Sequence, residues 1–268
     1  MLSLGWFSTG NGEGSLGLFN EVHKAIELGI LDARIEFVFC NREKGESQGS
    51  DKFLDRVSSV GIPTVSLSSS RFRTEHGGGS FNQHRLAYDK EIVKVLSEFN
   101  VDLCILAGYM LILGQELCQS YRMLNLHPAL PGGPTGTWRD VIWKLIGERS
   151  KVNGAYVHLV TEELDKGPII TYCSFPIAGG EYDKFWVDVE GVTTDSLKEQ
   201  FGEQLPVFSH IRDEGMKREK PLILETLKVF ANGTLKPEDL EIDINRMRTE
   251  LPICLDIPID NFLNEVRP

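Results

Sequence analysis

Met123-Leu124-Asn125-Leu126-His127-Pro128-Ala129-Leu130-Pro131 holds a short strand and the reason it stops. Met123 to Leu126 reads as the strand. It ends where His127 meets Pro128, because proline has no N–H to give to a ladder. The apolar run Leu103 to Ala107, just upstream, reads as another buried strand. Asn125 and His127 are two residues apart, so on an extended chain both side chains project from one face. An amide and an imidazole therefore stand together at the C-terminal end of a strand, the edge where open α/β sheets take their ligands. An amide stabilises an oxyanion and an imidazole exchanges protons near neutral pH, so the pair suits acyl transfer. The structural alternative is a histidine that only satisfies its own surroundings.

A second stretch weighs against that alternative: Val157-His158-Leu159-Val160-Thr161-Glu162-Glu163-Leu164-Asp165-Lys166-Gly167-Pro168. A strand runs into an acidic loop that closes on Gly167-Pro168. Asp165 sits at the loop tip, where it could reach His127 and raise the pKa of the imidazolium.

Together the two stretches resemble the folate-dependent formyltransferases. That family's Asn-x-His-Pro motif matches Asn125, His127 and Pro128. Its His-x-Val-x-x-x-Leu-Asp-x-Gly-Pro segment matches His158 through Pro168, with Asp165 as the catalytic aspartate. The resemblance runs from Leu4 to Leu235 and then fades. It implies a Rossmann-like α/β catalytic domain over 1–235, with a mostly parallel sheet of about seven strands flanked by helices. Residues 236–268 form a C-terminal extension. The resemblance also implies formyl transfer from 10-formyltetrahydrofolate, as cosubstrate and without a metal, to a primary amine. Foremost is the amine of glycinamide ribonucleotide in de novo purine biosynthesis. Asn125, His127 and Asp165 are the expected catalytic residues, and His158 is expected to be structural support.

Composition bounds the alternatives. The chain has 268 residues, 41% apolar and 25% charged, as is ordinary for a globular protein. No apolar run approaches the roughly 18 residues of a membrane span. The first apolar run is short and gives way at once to glycines, unlike a signal peptide. A net charge of −11 argues against a nucleic-acid partner. The five cysteines, Cys40, Cys104, Cys118, Cys173 and Cys254, show no C-x-x-C and no zinc spacing. They read as free thiols of a reducing compartment, so a cytoplasmic location is expected. Small molecules are the expected partners, and a monomer and a homodimer both remain open.

Outward from the two stretches, Leu2 to Phe7 reads as a first strand. Apolar residues at helical spacing follow at Leu16, Leu18, Phe19, Val22 and Ile26. Between them lies the turn Gly10-Asn11-Gly12-Glu13-Gly14-Ser15. Its N–H groups and the helix N-terminus make an anion site; a ligand-free tight turn is the alternative. By resemblance it is the phosphate turn for the acceptor, although Glu13 has to point away for a phosphate to sit there. Ile35 to Cys40 and Thr64 to Leu67 read as strands, Ser50 to Val60 as a helix, Ser68 to Ser80 as a polar loop and Asn82 to Phe99 as an amphipathic helix. Arg85 in that helix is either an anion contact, as the resemblance implies, or a surface arginine.

The segment Gly108-Tyr109-Met110-Leu111-Ile112-Leu113 is by resemblance the wall of the folate slot, with Gly108, Met110, Leu111, Leu113 and Val160 as candidate contacts; plain core is the alternative. Leu111 stands where the family has an arginine. Thr137 reads as the cap of a helix whose Trp138 and Trp143 pack it on the sheet. Ile169 to Pro176 reads as a strand and Val207 to Ala231 as a long helix. By resemblance a glutamate that contacts the acceptor precedes the helix proline, Pro221; here Met216 stands at that position, and Glu214 and Glu219 are off register. The extension carries Pro237, Pro252 and Pro258 and is expected to wrap the domain or meet a partner subunit.

Within formyl chemistry, a methionyl-tRNA formyltransferase would carry a basic C-terminal barrel, and a formyltetrahydrofolate hydrolase an extra N-terminal domain. The altered turn and the missing glutamate fit a formyltransferase for another amine, such as an amino-sugar nucleotide. From a different class, the rival is a non-catalytic nucleotide-binding module, which need not keep Asn125, His127 and Asp165 together.

Overall fold

The computed structural model describes residues 1–240 and 251–265. The rest of the expected extension, 241–250 and 266–268, lies outside the described residues. In chain order the elements are β1 (Leu2–Ser8), α1 (Glu13–Glu27), β2 (Ala33–Cys40), α2 (Gln48–Ser59), β3 (Thr64–Ser66), α3 (Ser69–Glu75), α4 (Arg85–Val95), β4 (Leu103–Leu106), α5 (Gln115–Ser120) and β5 (Met123–His127). Then come α6 (Trp138–Gly147), β6 (Val152–Leu159), β7 (Ile169–Pro176), α7 (Thr194–Gln200), α8 (Pro206–Ala231), β8 (Ile253–Cys254) and α9 (Asp256–Glu265). The strands form an eight-stranded sheet in the order β3-β2-β1-β4-β5-β6-β7-β8. The pairs β1–β2, β2–β3, β1–β4, β4–β5 and β7–β8 are parallel. The eighth strand, one more than expected, is the two-residue β8 of the extension. Among the described residues no helix is long and apolar enough to cross a membrane.

The chain divides into two compact units. The first holds Met1–Asn125, His158–Pro168 and the stretch that starts at Thr226. Its central strand β1 is covered on both faces, as a parallel strand must be. Phe7 packs edge-on against Phe37 and Tyr109, while its neighbour Trp6 points the other way and meets Phe19. The strand order reverses between β1 and β4, because β1 pairs with β2 on one side and β4 on the other. That reversal opens a crevice beyond the C-terminal ends of those strands.

Two elements of this unit differ from the sequence expectation. The segment Ser68 to Ser80 is not all loop: α3 occupies Ser69–Glu75, started by Ser68, whose hydroxyl accepts the Arg71 N–H at 3.0 Å. Phe72 is its buried anchor. The helix expected over Asn82 to Phe99 is shorter, Arg85–Val95, because Phe81–Gln83 forms a separate 3-10 turn.

The second unit holds Leu126–Val157, Ile169–Glu225 and the described C-terminal residues. Its core joins Val141, Ile142, Leu145 and Ile146 of α6 to Tyr156, Phe175 and Phe208. Trp138 and Trp143 pack against this core, as expected. Their ring centres are 6.0 and 4.9 Å from that of Phe208 on α8, and the aliphatic face of α6 is the fully buried one. Residues 178–205 are a run of short helical turns around α7. The extension adds β8 beside β7, with Thr171 opposite Ile253 and Tyr172 opposite Cys254.

Thr137 caps α6 as the sequence predicts. Its N–H donates to Asp140 Oδ2 at 2.9 Å, and its hydroxyl accepts the Asp140 N–H at 3.3 Å. Thr137→Ala is expected to lower unfolding stability by about 1 kcal/mol in urea titrations, and Thr137→Ser to keep most of it.

Candidate active site

At the C-terminal ends of β4, β5 and β6, the first unit encloses a cavity of about 230 Å³. Leu106, Tyr109 to Leu113, Asn125, His158, Val160, Thr161, Leu164 and Asp165 line it. Met110, Leu111, Leu113 and Val160 make apolar walls. The polar side chains Asn125, His158 and Asp165 come from the two stretches that the sequence singles out. Met110 is 69% exposed, so the wall it forms borders solvent.

The backbone beside this cavity is held tightly. Thr9 N–H donates to the Gly108 carbonyl at 3.1 Å, and the Thr9 hydroxyl accepts the Met110 N–H at 2.9 Å. Gly108 has φ +69°, and a side chain there would place its Cβ 2.1 Å from Ser15 Oγ. Gly108 is thus a positioning residue below the slot and does not itself line it.

His158 is only 1% exposed. Its Nδ1 faces the Leu159 carbonyl at 3.0 Å; a carbonyl only accepts, so Nδ1 carries the proton. Nε2 then faces Asp165 Oδ1 at 3.6 Å. His158, expected as structural support, stands in the cavity beside the expected catalytic carboxylate. The motif from His158 to Pro168 carries both residues, seven apart, out along a loop and back. Asp165 itself has φ +55°. Aspartate tolerates the left-handed region better than most residues, and strain of this kind concentrates at functional sites. Two residues on, a Cβ at Gly167 would lie 1.7 Å from the Leu159 carbonyl oxygen, so glycine is needed for the loop to close. Leu159 N–H also donates to the Pro168 carbonyl at 2.9 Å.

His127 lies two residues beyond Asn125 along β5, in the second unit. It is 3% exposed, with its ring 5.1 Å from that of Tyr156. Its Nε2 faces the Pro134 carbonyl at 3.0 Å and, by the same argument, holds a proton there. The glycine-rich loop after Pro131 thereby gains a purpose. It folds back through a turn in which Gly133 N–H donates to the Leu130 carbonyl at 2.8 Å, and the next residue supplies the contact to His127.

The other candidates are placed as follows. In the turn Gly10–Ser15, Gly10 N–H donates to Ser8 Oγ at 3.0 Å and Gly12 N–H to the Gly10 carbonyl at 3.2 Å. Those two donors are used inside the turn, and Glu13 is the exposed first residue of α1. Arg85 begins α4, half-buried beside Asp89 and Gly114, and lines no part of the cavity. Asp89 is buried and accepts the Gly114 N–H at 2.6 Å; burial pushes its carboxyl up to about 6, against the lowering effects of that hydrogen bond and of Arg85. On α8, Met216 is 44% exposed. Its neighbours are engaged: Glu214 with Lys217 and Arg218 at 2.6 and 2.7 Å, Glu219 with Arg212 at 2.9 Å.

Apolar walls with a few fixed polar groups suit a flat ring with a reacting group at its edge. Residues 10–185 match the family model described as formyl transferase. The chain is 32% identical over 163 residues to the phosphoribosylglycinamide formyltransferase of Escherichia coli (strain K12), covering 56% of this chain and 69% of that protein. It is 28% identical over 192 residues to the phosphoribosylglycinamide formyltransferase of Dictyostelium discoideum, covering 67% of this chain and 82% of that one. A solved phosphoribosylglycinamide formyltransferase from Coxiella burnetii superposes with a TM-score of 0.61 at 22% identity, over 95% of this chain and 99% of that one, which is a likeness of fold. The family match spans well over half of the sequence, and the chain belongs to the formyl transferase family.

Asp89 gives the stability of the fold a pH signature. Its carboxyl binds a proton more tightly in the folded chain than in the unfolded one, so its contribution to stability is greatest at low pH and is lost as pH rises from about 4 to about 6. In urea titrations across that window, Asp89→Asn is expected to gain stability relative to the parent as pH rises and to hold that gain above it.

Proposed function

We propose that the chain transfers a formyl group from 10-formyltetrahydrofolate to the amine of glycinamide ribonucleotide, a reaction of purine biosynthesis. The observation that carries this reading is the cavity itself, in which Asn125 and Asp165 line the same space as Met110, Leu111, Leu113 and Val160. Membership of the formyl transferase family and the similarity to phosphoribosylglycinamide formyltransferases support it.

The residues take the following parts in this proposal. Met110, Leu111, Leu113 and Val160 hold the flat ring of the folate by apolar contact and keep water from it. Arg85 serves the anionic end of a substrate, and Gly108 keeps the wall in place. The turn Gly10–Ser15 meets the acceptor through the first-turn N–H groups of α1, with Glu13 turned to solvent. Asn125 donates its amide N–H to the formyl oxygen as the amine attacks and charge develops there. His127 as imidazolium adds a second charge-stabilising donor. Asp165 takes the proton released by the attacking amine and returns it to the departing folate nitrogen, so charge and protons balance over the step. His158 positions the Asp165 carboxylate.

The test is formyl transfer by the purified protein, followed through the absorbance of the tetrahydrofolate product. Asn125→Ala is expected to lower the rate by roughly 10²–10³ and His127→Ala or Asp165→Asn by roughly 10²–10⁴. Asparagine shares aspartate's tolerance of positive φ, so Asp165→Asn removes the charge without disturbing the loop. A variant that keeps most of its activity removes that residue from the mechanism. A parent protein that binds a folate analogue but turns over no amine is a binding module.

A further inference from the structure

The first unit has a second, larger cavity, of about 530 Å³. It lies beyond the C-terminal ends of β1 and β2, next to the reversal of strand order. Met110 and Leu111 line both this cavity and the one that holds Asn125. Its floor is fixed by buried polar groups. The Thr9 hydroxyl donates to Asn41 Oδ1 at 2.8 Å, and Asn41 Nδ2 donates to Ser69 Oγ at 3.2 Å. Thr9 and Asn41 are 2% and 3% exposed.

The charges in its wall do not cancel. Arg42, Arg73 and Glu46 line it. The Glu46 carboxylate is already engaged: Oε1 accepts from Ser68 Oγ and Oε2 from the Glu43 N–H, both at 2.6 Å. Arg71, on the same helix as Arg73, pairs with Glu43 and Glu75. Among the described residues neither Arg42 nor Arg73 forms an ion pair, and the one side-chain hydrogen bond of Arg42 is a long 3.5 Å contact to Ser50 Oγ. Acidic residues outnumber basic ones in this chain by 39 to 28, so carboxylates are plentiful. Two guanidinium groups line one cavity with a single carboxylate that pairs with neither of them, above a pre-ordered hydroxyl and amide floor, and are arranged for an anion from outside.

We infer that this cavity is an anion subsite, in which Arg42 and Arg73 hold the phosphate or carboxylate end of a substrate whose reacting group lies against Asn125. The assignment to a substrate rests on the transfer reaction proposed above; the existence of the subsite does not. Either of two sources supplies the chemistry, the phosphate of the acceptor or the glutamate carboxylates of the folate.

The first test needs no turnover. Inorganic phosphate should raise the melting temperature of the parent above that in chloride of equal ionic strength. Arg73→Ala and Arg42→Gln should abolish the difference, and Arg73→Lys should restore part of it. The melting temperatures in chloride report whether each variant is folded. A parent that does not distinguish phosphate from chloride, or folded variants that respond like the parent, overturns the subsite. The second test names the source. If Arg73→Ala raises KM for the phosphorylated acceptor roughly tenfold or more, and not that for its dephosphorylated form, the anion is the acceptor's phosphate. If it raises KM for the folate and not for the pteroate analogue without glutamate, the anion is the folate's tail. Unchanged KM for both substrates overturns the assignment to either. Absence of formyl transfer by the parent fails the proposed reaction alone and leaves the phosphate test standing.

Discussion

Pro128 cannot donate a backbone hydrogen bond, and much of the site follows from that single lack. β5 ends at His127, so Asn125 and His127 occupy its last alternating positions. Had the strand run on, both side chains would be interior positions of a ladder, flanked by neighbours on either side. Because it stops, the chain is free to loop through Gly132 and Gly133 and to bring the Pro134 carbonyl back to the imidazole. One missing N–H therefore sets where the strand ends and which residues stand at its end.

A second constraint acts at the reversal of strand order. Crevices at such points are lined by loop backbone, whose polar groups have to be satisfied without a ladder. Thr9 and Asn41 do this from the ends of β1 and β2. Their side chains bind one another, and they reach Met110 and Ser69 on segments far away in sequence. The loops beside the slot are thus fixed by a polar network as well as by the packing of Tyr109 and Leu113 into the core. That suits a wall whose outermost side chain, Met110, is largely exposed.

The legible parts of this fold are those whose signals are local. Thr137 could be read as a cap because a hydroxyl three residues before Asp140 acts on its own helix. β7 could be read to its last residue because Ile169–Pro176 alternates and ends in proline. α3 was hidden because Phe72 is the one apolar residue in Ser69–Glu75, too few to show a period. That Trp138 and Trp143 also meet Phe208 was hidden, because α8 lies about 70 residues further along the chain. In the site, Asn125 and His127 follow from strand alternation. His158 was named as support, but its approach to Asp165 was hidden because the loop between them depends on a positive φ at Asp165 and a close approach at Gly167. Arg42 and Arg73 escaped because 31 residues separate them and only the fold brings them to one wall.

β7 would be the last strand of the sheet without the extension, and an eight-residue edge is a ready template for a strand of another molecule. The extension covers that edge economically. β8 pairs with Thr171 and Tyr172, and a step further on the Asp256 carboxylate takes both the N–H and the hydroxyl of Ser174 at 2.7 Å. A carboxylate satisfies the donors as a strand would, yet it offers nothing for a further strand to pair with and repels other acidic chains. These few residues, with no visible part in the chemistry, keep the sheet finite, and so bear on whether the protein stays soluble at high concentration.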